Sequence, residues 1–350
     1  MRILIATDAW HPQINGVVRT NEQLRAGLKR FGAEVSFIAP VSNRSIPCPT
    51  YPEIRLSYIT QRHIHQAIMK FRPDYIHIST EGPIGFAVRT YCLERQINFT
   101  TSYHTRFPEY LAARFPMPLS WSYAFLRRFH NAGTGLMVAT KSLANELTDR
   151  GFNNISIWTR GVNTSVFRPN NSKLFGTRQP VFLYVGRVSI EKNIEAFLNL
   201  DLPGIKIVVG DGPQLQQMKR RYPHVLFTGN KEGEELAQHY ASASVFVFPS
   251  LTDTFGVVLL EAMASGVPIA AYPVTGPKDI VLQGVTGILD NDLRSAALNA
   301  LSLDSNKCRM ESLNYSWAES TKQFLNNIKN SHWVPEEDID RIGQLQSHIP

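Results

Sequence analysis

Residues 180–200 read PVFLYVGRVSIEKNIEAFLNL, a pattern that predicts a strand ending at a glycine and followed by a helix. The apolar run at its start, rich in Val, Phe and Tyr, is typical of a parallel strand buried on both faces. Arg187 and Lys192 therefore lie at the carboxyl end of a strand and the start of the next helix, where open α/β sheets bind ligands. Two cations there favour a pyrophosphate, because Arg binds two oxygens at once and Lys is a point charge. The alternative is a solvated basic loop.

The same alternation of strands and helices extends outward from this segment and predicts parallel α/β sheets. Strands are predicted at 2–7, 34–40, 74–79, 98–104, 135–140 and 155–160, and then at 180–186, 205–210, 225–229, 244–250 and 268–273. Helices are clearest at 21–31, 62–71, 84–95 and 141–151. The polar stretch 166–180 resembles a linker. The sequence therefore predicts two doubly wound, Rossmann-like domains that face each other across a cleft holding the active site.

A second motif, SLTDTFGVVLLEAMASGVPIAA at 250–271, carries two acids eight residues apart. Asp253 is expected in the loop before a helix, and Glu261 about two turns inside it. The backbone N–H groups of Phe255, Gly256 and Val257 would be unpaired at the helix start, where the helix dipole favours an anion. The motif predicts a phosphate-binding helix end beside two acceptors for sugar hydroxyls. An ordinary amphipathic helix with a solvated acid is the alternative.

Four motifs together resemble a known family: GRVSIEKN, IVVGDGP, GEELAQHYASASVFVFPS and TDTFGVVLLEAMASGVPI. Their order and spacing are similar to those of the retaining family-four glycosyltransferases, which have the GT-B fold. The likeness runs from the NGVVRT loop near the amino terminus to a helix near residue 320. It is nearest to bacterial members that use GDP-mannose or a UDP-hexose and glycosylate lipids. The paired glutamates of the family correspond to Asp253 and Glu261, so the first acid is one methylene shorter here.

The resemblance implies a domain organisation and a set of site residues. The amino-terminal, acceptor-side domain would span 1–168, the nucleotide-sugar domain 169–312, and a helical segment with a tail 313–350, crossing back to the first domain. His104 would contact the donor sugar or line the acceptor side, and Lys231 and Glu232 would lie near the nucleotide base. Donor-binding positions would be Asn15, Gly16, Arg187, Lys192, Gly210, Asp253, Phe255, Gly256, Val257 and Glu261.

The reaction implied is a metal-independent, retaining hexosyl transfer from a nucleoside-diphosphate sugar. Arg187 and Lys192, with the amides near Gly16 and Gly256, would stabilise the leaving group in place of a metal. We expect truncation of either cation to affect folding little, because both side chains should lie in a wet cleft. A nucleotide-sugar epimerase of the same architecture and a catalytically silent, membrane-associated nucleotide-sugar binder remain the alternatives.

Composition excludes several other classes. The hydrophobic fraction of 43% and the charged fraction of 19% are ordinary for a globular protein. Three cysteines, Cys48, Cys92 and Cys308, are too few and dispersed for a disulfide framework or a zinc site. The first strand leads into TDAWHPQINGVVRT, which lacks a dinucleotide fingerprint, and no P-loop occurs. No cofactor, no metal, no signal peptide and no membrane span are expected, which favours a cytoplasmic protein.

Charge is concentrated in the first half. Residues 1–165 hold 19 Lys and Arg against 10 Asp and Glu, whereas the rest of the chain is close to neutral. Because no nucleic-acid motif accompanies this charge, an anionic membrane surface is the better partner. Basic and aromatic residues interleave in RFPEYLAARFPMPLSWSYAFLRRFH, residues 106–130, as in segments that lie in lipid headgroups. The hypothesis is peripheral binding at the inner face of the cytoplasmic membrane, with a lipid or glycan acceptor. The alternative is a core-packed helical pair.

Overall fold

The computed structural model describes residues 1–331 except 12, 14, 41–44, 49–50, 113–116 and 171–173. Within that range it contains two six-stranded parallel sheets and one two-stranded antiparallel sheet. The predicted carboxyl-terminal tail, after residue 331, lies outside the described residues. Two parallel sheets with helices packed against them confirm the α/β fold class that the alternating pattern predicted.

The amino-terminal sheet is built from the first half of the chain. Its strands and the neighbouring hairpin are β1 (Arg2–Ala6), β2 (Glu34–Ile38), β3 (Ser45–Cys48), β4 (Tyr51–Ser57), β5 (Tyr75–Ile78), β6 (Thr100–Ser102), β7 (Gly135–Val138) and β8 (Ile155–Ile157). Its helices are α1 (Gly16–Arg30), α2 (Gln61–Phe71), α3 (Pro83–Glu94), α4 (Phe107–Ala112), α5 (Leu119–His130) and α6 (Lys141–Asp149). The sheet order is β2-β1-β5-β6-β7-β8, and β3 pairs with β4 outside this sheet.

The carboxyl-terminal sheet follows the linker. Its strands are β9 (Val181–Val185), β10 (Ile205–Val209), β11 (Leu226–Gly229), β12 (Val245–Phe248), β13 (Ile269–Ala271) and β14 (Gly287–Leu289). Its helices are α7 (Ile194–Leu198), α8 (Leu215–Arg221), α9 (Gly233–Ala241), α10 (Val257–Ala264), α11 (Pro277–Ile280), α12 (Leu293–Ala300) and α13 (Ser305–Ser312). The order β11-β10-β9-β12-β13-β14 is that of a Rossmann sheet, whose strand order reverses between β9 and β12.

Burial on both faces explains why the strands were visible in the sequence. Every residue of β9, β12 and β13 is buried, and two apolar clusters cover the opposite faces of this sheet. The pattern missed β14, because its two apolar residues stand between Gly287 and Asp290 and form neither a long apolar run nor an alternation. It also missed the β3–β4 hairpin, which interrupts the strand–helix alternation.

The last described helix, α14 (Trp317–Ser331), packs on the amino-terminal sheet. Its Phe324 and Ile328 join an apolar cluster with Ile3 and Ile5 of β1. A side chain at Gly27 of α1 would collide with Thr321, because an added Cβ would lie 2.1 Å from its hydroxyl oxygen. The first strand and the last described helix therefore belong to the same domain.

Direct hydrogen bonds join the two sheets' domains across the cleft. The Thr254 hydroxyl donates to the His104 carbonyl at 2.8 Å, and the Ser142 N–H donates to Asp279 Oδ1 at 2.9 Å. Thr254 belongs to the loop before α10, and Ser142 lies in the first turn of α6. These contacts bring the carboxyl ends of both sheets together. Within the described ranges, no helix combines the length and apolar character that crossing a bilayer requires.

Candidate active site

The predicted site residues lie where the strand order reverses. The segment after β9 carries Arg187 and Lys192, and the segment after β12 carries Asp253. Since β9 and β12 are neighbours, two segments distant in sequence meet at one edge of the sheet. The loop after β1, which leads to Gly16, lies at the corresponding reversal between β1 and β5 of the other sheet.

A salt bridge between Lys192 and Asp253 forms the centre of this site. Lys192 Nζ donates to Asp253 Oδ1 at 2.5 Å, and both side chains are mostly buried. Burial by itself would lower the pKa of Lys192, but the Asp253 carboxylate raises that pKa above its ordinary value. The other oxygen, Asp253 Oδ2, is buried without a hydrogen-bond partner among the described residues. The expectation that Lys192 stands in a wet cleft is wrong, because this ion pair holds it largely out of water.

Arg187 lies next to this pair at the end of β9. Its carbonyl accepts a hydrogen bond from the Tyr184 hydroxyl at 2.7 Å, which fixes the backbone where the strand ends. Its Nε lies 3.8 Å from Glu191 Oε1, and its side chain is 28% exposed. The guanidinium is therefore restrained from one side while it remains accessible from the cleft.

The helix that follows Asp253 begins two residues later than the pattern suggested. Gly256 is the N-cap of α10 with φ 86°, a left-handed conformation that favours glycine. Among the described residues, the N–H groups of Phe255, Gly256 and Val257 have no hydrogen-bond acceptor. These amides stand at the N-terminus of α10, a helix of eight residues, two positions after Asp253 in the chain. The arrangement can accept an anion or a polarised hydroxyl.

Glu261 lies inside α10 and is nearly completely buried. Its Oε2 accepts a hydrogen bond from the Tyr240 hydroxyl at 3.0 Å. Its Oε1 lies 3.6 Å from a guanidinium nitrogen of Arg19, which reaches it from α1 of the other domain. Burial raises the pKa of Glu261, while Arg19 and Tyr240 offset part of that rise. Sequence reasoning missed both partners, although Arg19 lies one turn after Gly16 and so on the same helix face.

Asn15 and Gly16 begin α1 at the cleft. The Asn15 side chain caps the helix by accepting hydrogen bonds from the Val17 and Val18 N–H groups, both at 3.0 Å. A Cβ added to Gly16 would meet no atom within 4 Å. Asn15 therefore has a structural task, whereas Gly16 faces open space that a ligand can enter.

His104 lies just after β6 in a buried hydrogen-bond network. Arg160 donates to His104 Nδ1 at 3.0 Å, and because arginine is only a donor, the ring proton must be on Nε2. That Nε2 lies 3.2 Å from the Ser79 hydroxyl. Burial and the nearby Arg160 hold the pKa of His104 well below its usual range, so the ring is neutral at pH 7. Both nitrogens are engaged within the amino-terminal domain.

Gly210 has a packing reason to be glycine. A Cβ there would lie 1.9 Å from the Gly186 carbonyl oxygen, so the ends of β9 and β10 approach too closely for any side chain. A Cβ added to Gly212 would likewise lie 2.4 Å from the carbonyl oxygen of Val188. Both glycines shape the backbone beside Arg187. Lys231 and Glu232 precede α9; the Glu232 side chain is 57% exposed, whereas that of Lys231 is 23% exposed and forms a salt bridge with Glu235.

The basic and aromatic stretch 106–130 divides between the core and the surface. Arg106 is buried and forms a salt bridge with Glu146. Burial raises the pKa of Tyr110, on which the charges of Lys192 and Asp253 also act. Residues 113–116, which include Arg114 and Phe115, lie outside the described range. The exposed part of the stretch is on α5.

On α5 the exposed positions form one stripe. Trp121 is 71% exposed and Phe125 is 57% exposed, and Arg128 lies on the same face. Tyr123 and Phe129 point into the core instead. An apolar, positively charged strip thus remains on the surface of the amino-terminal domain, although it is smaller than the sequence suggested.

Two family models match the chain, one for each domain. Glycosyltransferase Family 4 matches residues 14–166, and Glycosyl transferases group 1 matches residues 179–303. The GDP-mannose-dependent alpha-mannosyltransferase of Mycolicibacterium smegmatis is 30% identical over 323 residues, covering 83% of this chain and 84% of that protein. The sulfoquinovosyl transferase SQD2 of Arabidopsis thaliana is 30% identical over 330 residues, or 85% of this chain, and the match spans 63% of SQD2.

A solved structure shows the same architecture. Anabaena Alr3699/HepE in complex with UDP-glucose has a TM-score of 0.70 at 16% identity, over 94% of this chain and 100% of that one. With two parallel α/β sheets facing across a cleft, the protein has the GT-B fold. The chain belongs to the family-four glycosyltransferases, as the motifs predicted, and it is a glycosyltransferase.

Proposed function

We propose that this protein transfers a hexose from a nucleoside-diphosphate sugar to a lipid or glycan acceptor, with retention and without a metal. The observation that carries the proposal is the contact between Lys192 and Asp253 at the start of α10. It joins a cation suited to a diphosphate to a carboxylate suited to sugar hydroxyls. Because these groups come from adjacent strand ends, one donor molecule can reach both.

Each side of the donor has matching groups in this arrangement. Arg187 and Lys192 stabilise the charge that develops on the leaving diphosphate, which is the task a metal ion performs in other transferases. The open space at Gly16 lets the opposite domain approach the same phosphates. Glu261 accepts hydrogen bonds from the ribose hydroxyls through Oε1, since Oε2 is taken by Tyr240.

The sugar lies over Asp253 and the amides of Phe255, Gly256 and Val257. His104 acts from the other domain as a neutral packing group, because its ring nitrogens are already engaged and it carries no charge at pH 7. A front-face reaction follows, in which the leaving phosphate takes the proton of the acceptor hydroxyl.

Mannose is the favoured sugar and glucose the next. Support comes from the Mycolicibacterium relative, whose name specifies GDP-mannose and mannosyl transfer, and from the UDP-glucose bound to the Anabaena structure. A lipid acceptor is favoured by the positive amino-terminal half and by Trp121, Phe125 and Arg128 on the exposed face of α5. We place the protein in the cytoplasm, peripherally on the anionic inner face of the membrane.

A binding panel followed by a turnover assay tests the proposal. Thermal unfolding is measured with GDP, UDP and ADP, because a bound nucleotide raises the unfolding temperature by mass action. GDP-mannose and UDP-glucose are then incubated with lipid extracts, and nucleoside diphosphate release is followed with and without excess chelator. Release that requires an acceptor and tolerates chelator supports the proposal. Interconversion of the free nucleotide sugar would indicate an epimerase, binding without turnover a silent binder, and loss of activity in chelator a metal-dependent transferase.

A further inference from the structure

Arg19 is the one residue of α1 that the structure places against acids of the other domain, among the residues described. Its two terminal nitrogens lie 3.6 Å from Glu261 Oε1 and 3.7 Å from Glu232 Oε1. Glu232 immediately precedes α9 and Glu261 lies within α10, so both acids belong to the carboxyl-terminal domain. One guanidinium therefore bridges the cleft at two points.

Both contacts of Arg19 are longer than hydrogen bonds. Charge-assisted hydrogen bonds are about 2.7–2.9 Å long, so the two contacts are ion pairs. The Arg19 side chain is 38% exposed, so part of its guanidinium faces the cleft. Tyr240 holds Glu261 Oε2, which turns Oε1 toward Arg19 and the cleft.

Charge gives Arg19 a second effect on Glu261. The described charged and titratable groups that act on Glu261 are Arg19 from α1 and Tyr240 from α9, and Glu232 faces Arg19 from the start of α9. Burial raises the pKa of Glu261, and Arg19 opposes that rise. Only the carboxylate form is purely an acceptor of hydroxyl hydrogen bonds.

We infer that Arg19 is a positioning residue of the nucleotide-sugar site, where it bridges Glu232 and Glu261 and orients Glu261 toward the ribose of a nucleoside diphosphate. The inference rests on the proposed function and adds to it a residue of the acceptor-side domain. It assigns to Arg19 a direct link between the acceptor-side domain and the nucleoside site. Removing Arg19 should therefore weaken donor binding more than it slows the chemical step.

The test uses three variants of the full chain: Arg19→Ala, Arg19→Lys and the control Arg25→Ala. Arg25 is an exposed residue on the same helix, so its variant also loses a cation from α1. For each protein we measure the unfolding temperature and the donor KM and kcat between pH 5 and 8. Because Arg19 is partly exposed, Arg19→Ala should unfold within a few degrees of the parent.

We expect Arg19→Ala to raise the donor KM about 10-fold or more, with a smaller change in kcat. The acid limb of kcat/KM should move to higher pH, because Glu261 keeps its proton longer when Arg19 is absent. Arg19→Lys should restore the position of that limb by restoring the charge, and Arg25→Ala should match the parent. An Arg19→Ala protein with the parental KM and pH profile would overturn this inference and leave the proposed function standing. A parent that binds no nucleoside diphosphate would instead refute the proposed function.

Discussion

The salt bridge between Lys192 and Asp253 leads to the sharpest prediction, which concerns Lys192→Met. This change keeps most of the side-chain volume but leaves Asp253 without the only hydrogen bond that the described residues give it. Lys192 is 23% exposed and Asp253 is 14% exposed. Breaking a fully buried pair costs about 3–5 kcal/mol, and an exposed pair contributes about 0–1 kcal/mol. For this largely buried pair we expect a loss of about 2–3 kcal/mol in unfolding free energy.

That loss should be visible in two assays. At about 2–4 °C per kcal/mol for a domain of this size, the unfolding temperature should fall by about 5–10 °C. Because the raised pKa of Lys192 lies above the physiological range, the contribution of its positive charge to stability is fully present from pH 6 to 9, and the loss should not vary there. Donor turnover should fall about 10²–10³-fold, as when one donor to a developing anion is removed.

Two controls separate stability from activity. The double variant Lys192→Met with Asp253→Asn removes both charges and should recover much of the stability but none of the activity. Lys231→Met breaks a bridge of the same 2.5 Å length to Glu235, whose side chain is 57% exposed, and should cost at most about 1 kcal/mol. Parental stability in Lys192→Met would show that the ion pair is not a stabilising feature of the fold, and parental turnover would remove Lys192 from the proposed mechanism.

Three further predictions concern the donor and the membrane. Asp253→Asn should lower kcat by weakening charge-assisted hydrogen bonds to the sugar, whereas Glu261→Gln should mainly raise the donor KM. The opposite pattern in steady-state kinetics would exchange the roles of the two acids. Gly16→Val should leave the unfolding temperature unchanged, because a Cβ at this position meets no protein atom within 4 Å. It should raise the donor KM about 10-fold or more, and an unchanged donor KM would place the diphosphate elsewhere. Trp121→Ala with Phe125→Ala should reduce flotation with anionic liposomes at low salt and not with neutral ones, and parental flotation would remove α5 from the membrane contact.

Much of the fold and part of the site could be predicted from the sequence. Buried parallel strands are continuous apolar runs, and a glycine or a polar residue marks where each ends, so β9 and β12 could be recognised locally. Ligand groups in such sheets follow the carboxyl ends of strands. The sequence therefore predicts that Arg187, Lys192 and Asp253 lie near one another.

Short and irregular elements could not be predicted in the same way. Strand β14 has only two apolar residues, between Gly287 and Asp290, so it shows neither an apolar run nor an alternation. The β3–β4 hairpin interrupts the alternation on which the prediction depended. The stretch 106–130 suggested one basic and aromatic surface, but Arg106 is buried against Glu146, and Tyr123 and Phe129 are buried in the core. The residue types in a segment do not reveal which side of a short helix the rest of the protein will cover.

The sequence by itself determined the two sheets, the family and the strand ends that carry the site. Only the tertiary structure decided that Lys192 is neutralised by Asp253, that Tyr240 fixes one oxygen of Glu261, and that Arg19 reaches the other from the opposite domain. Strand and helix periods are local properties, and they record which residues are buried. Contacts across a cleft depend on how two separately folded sheets meet, and no local pattern contains that information.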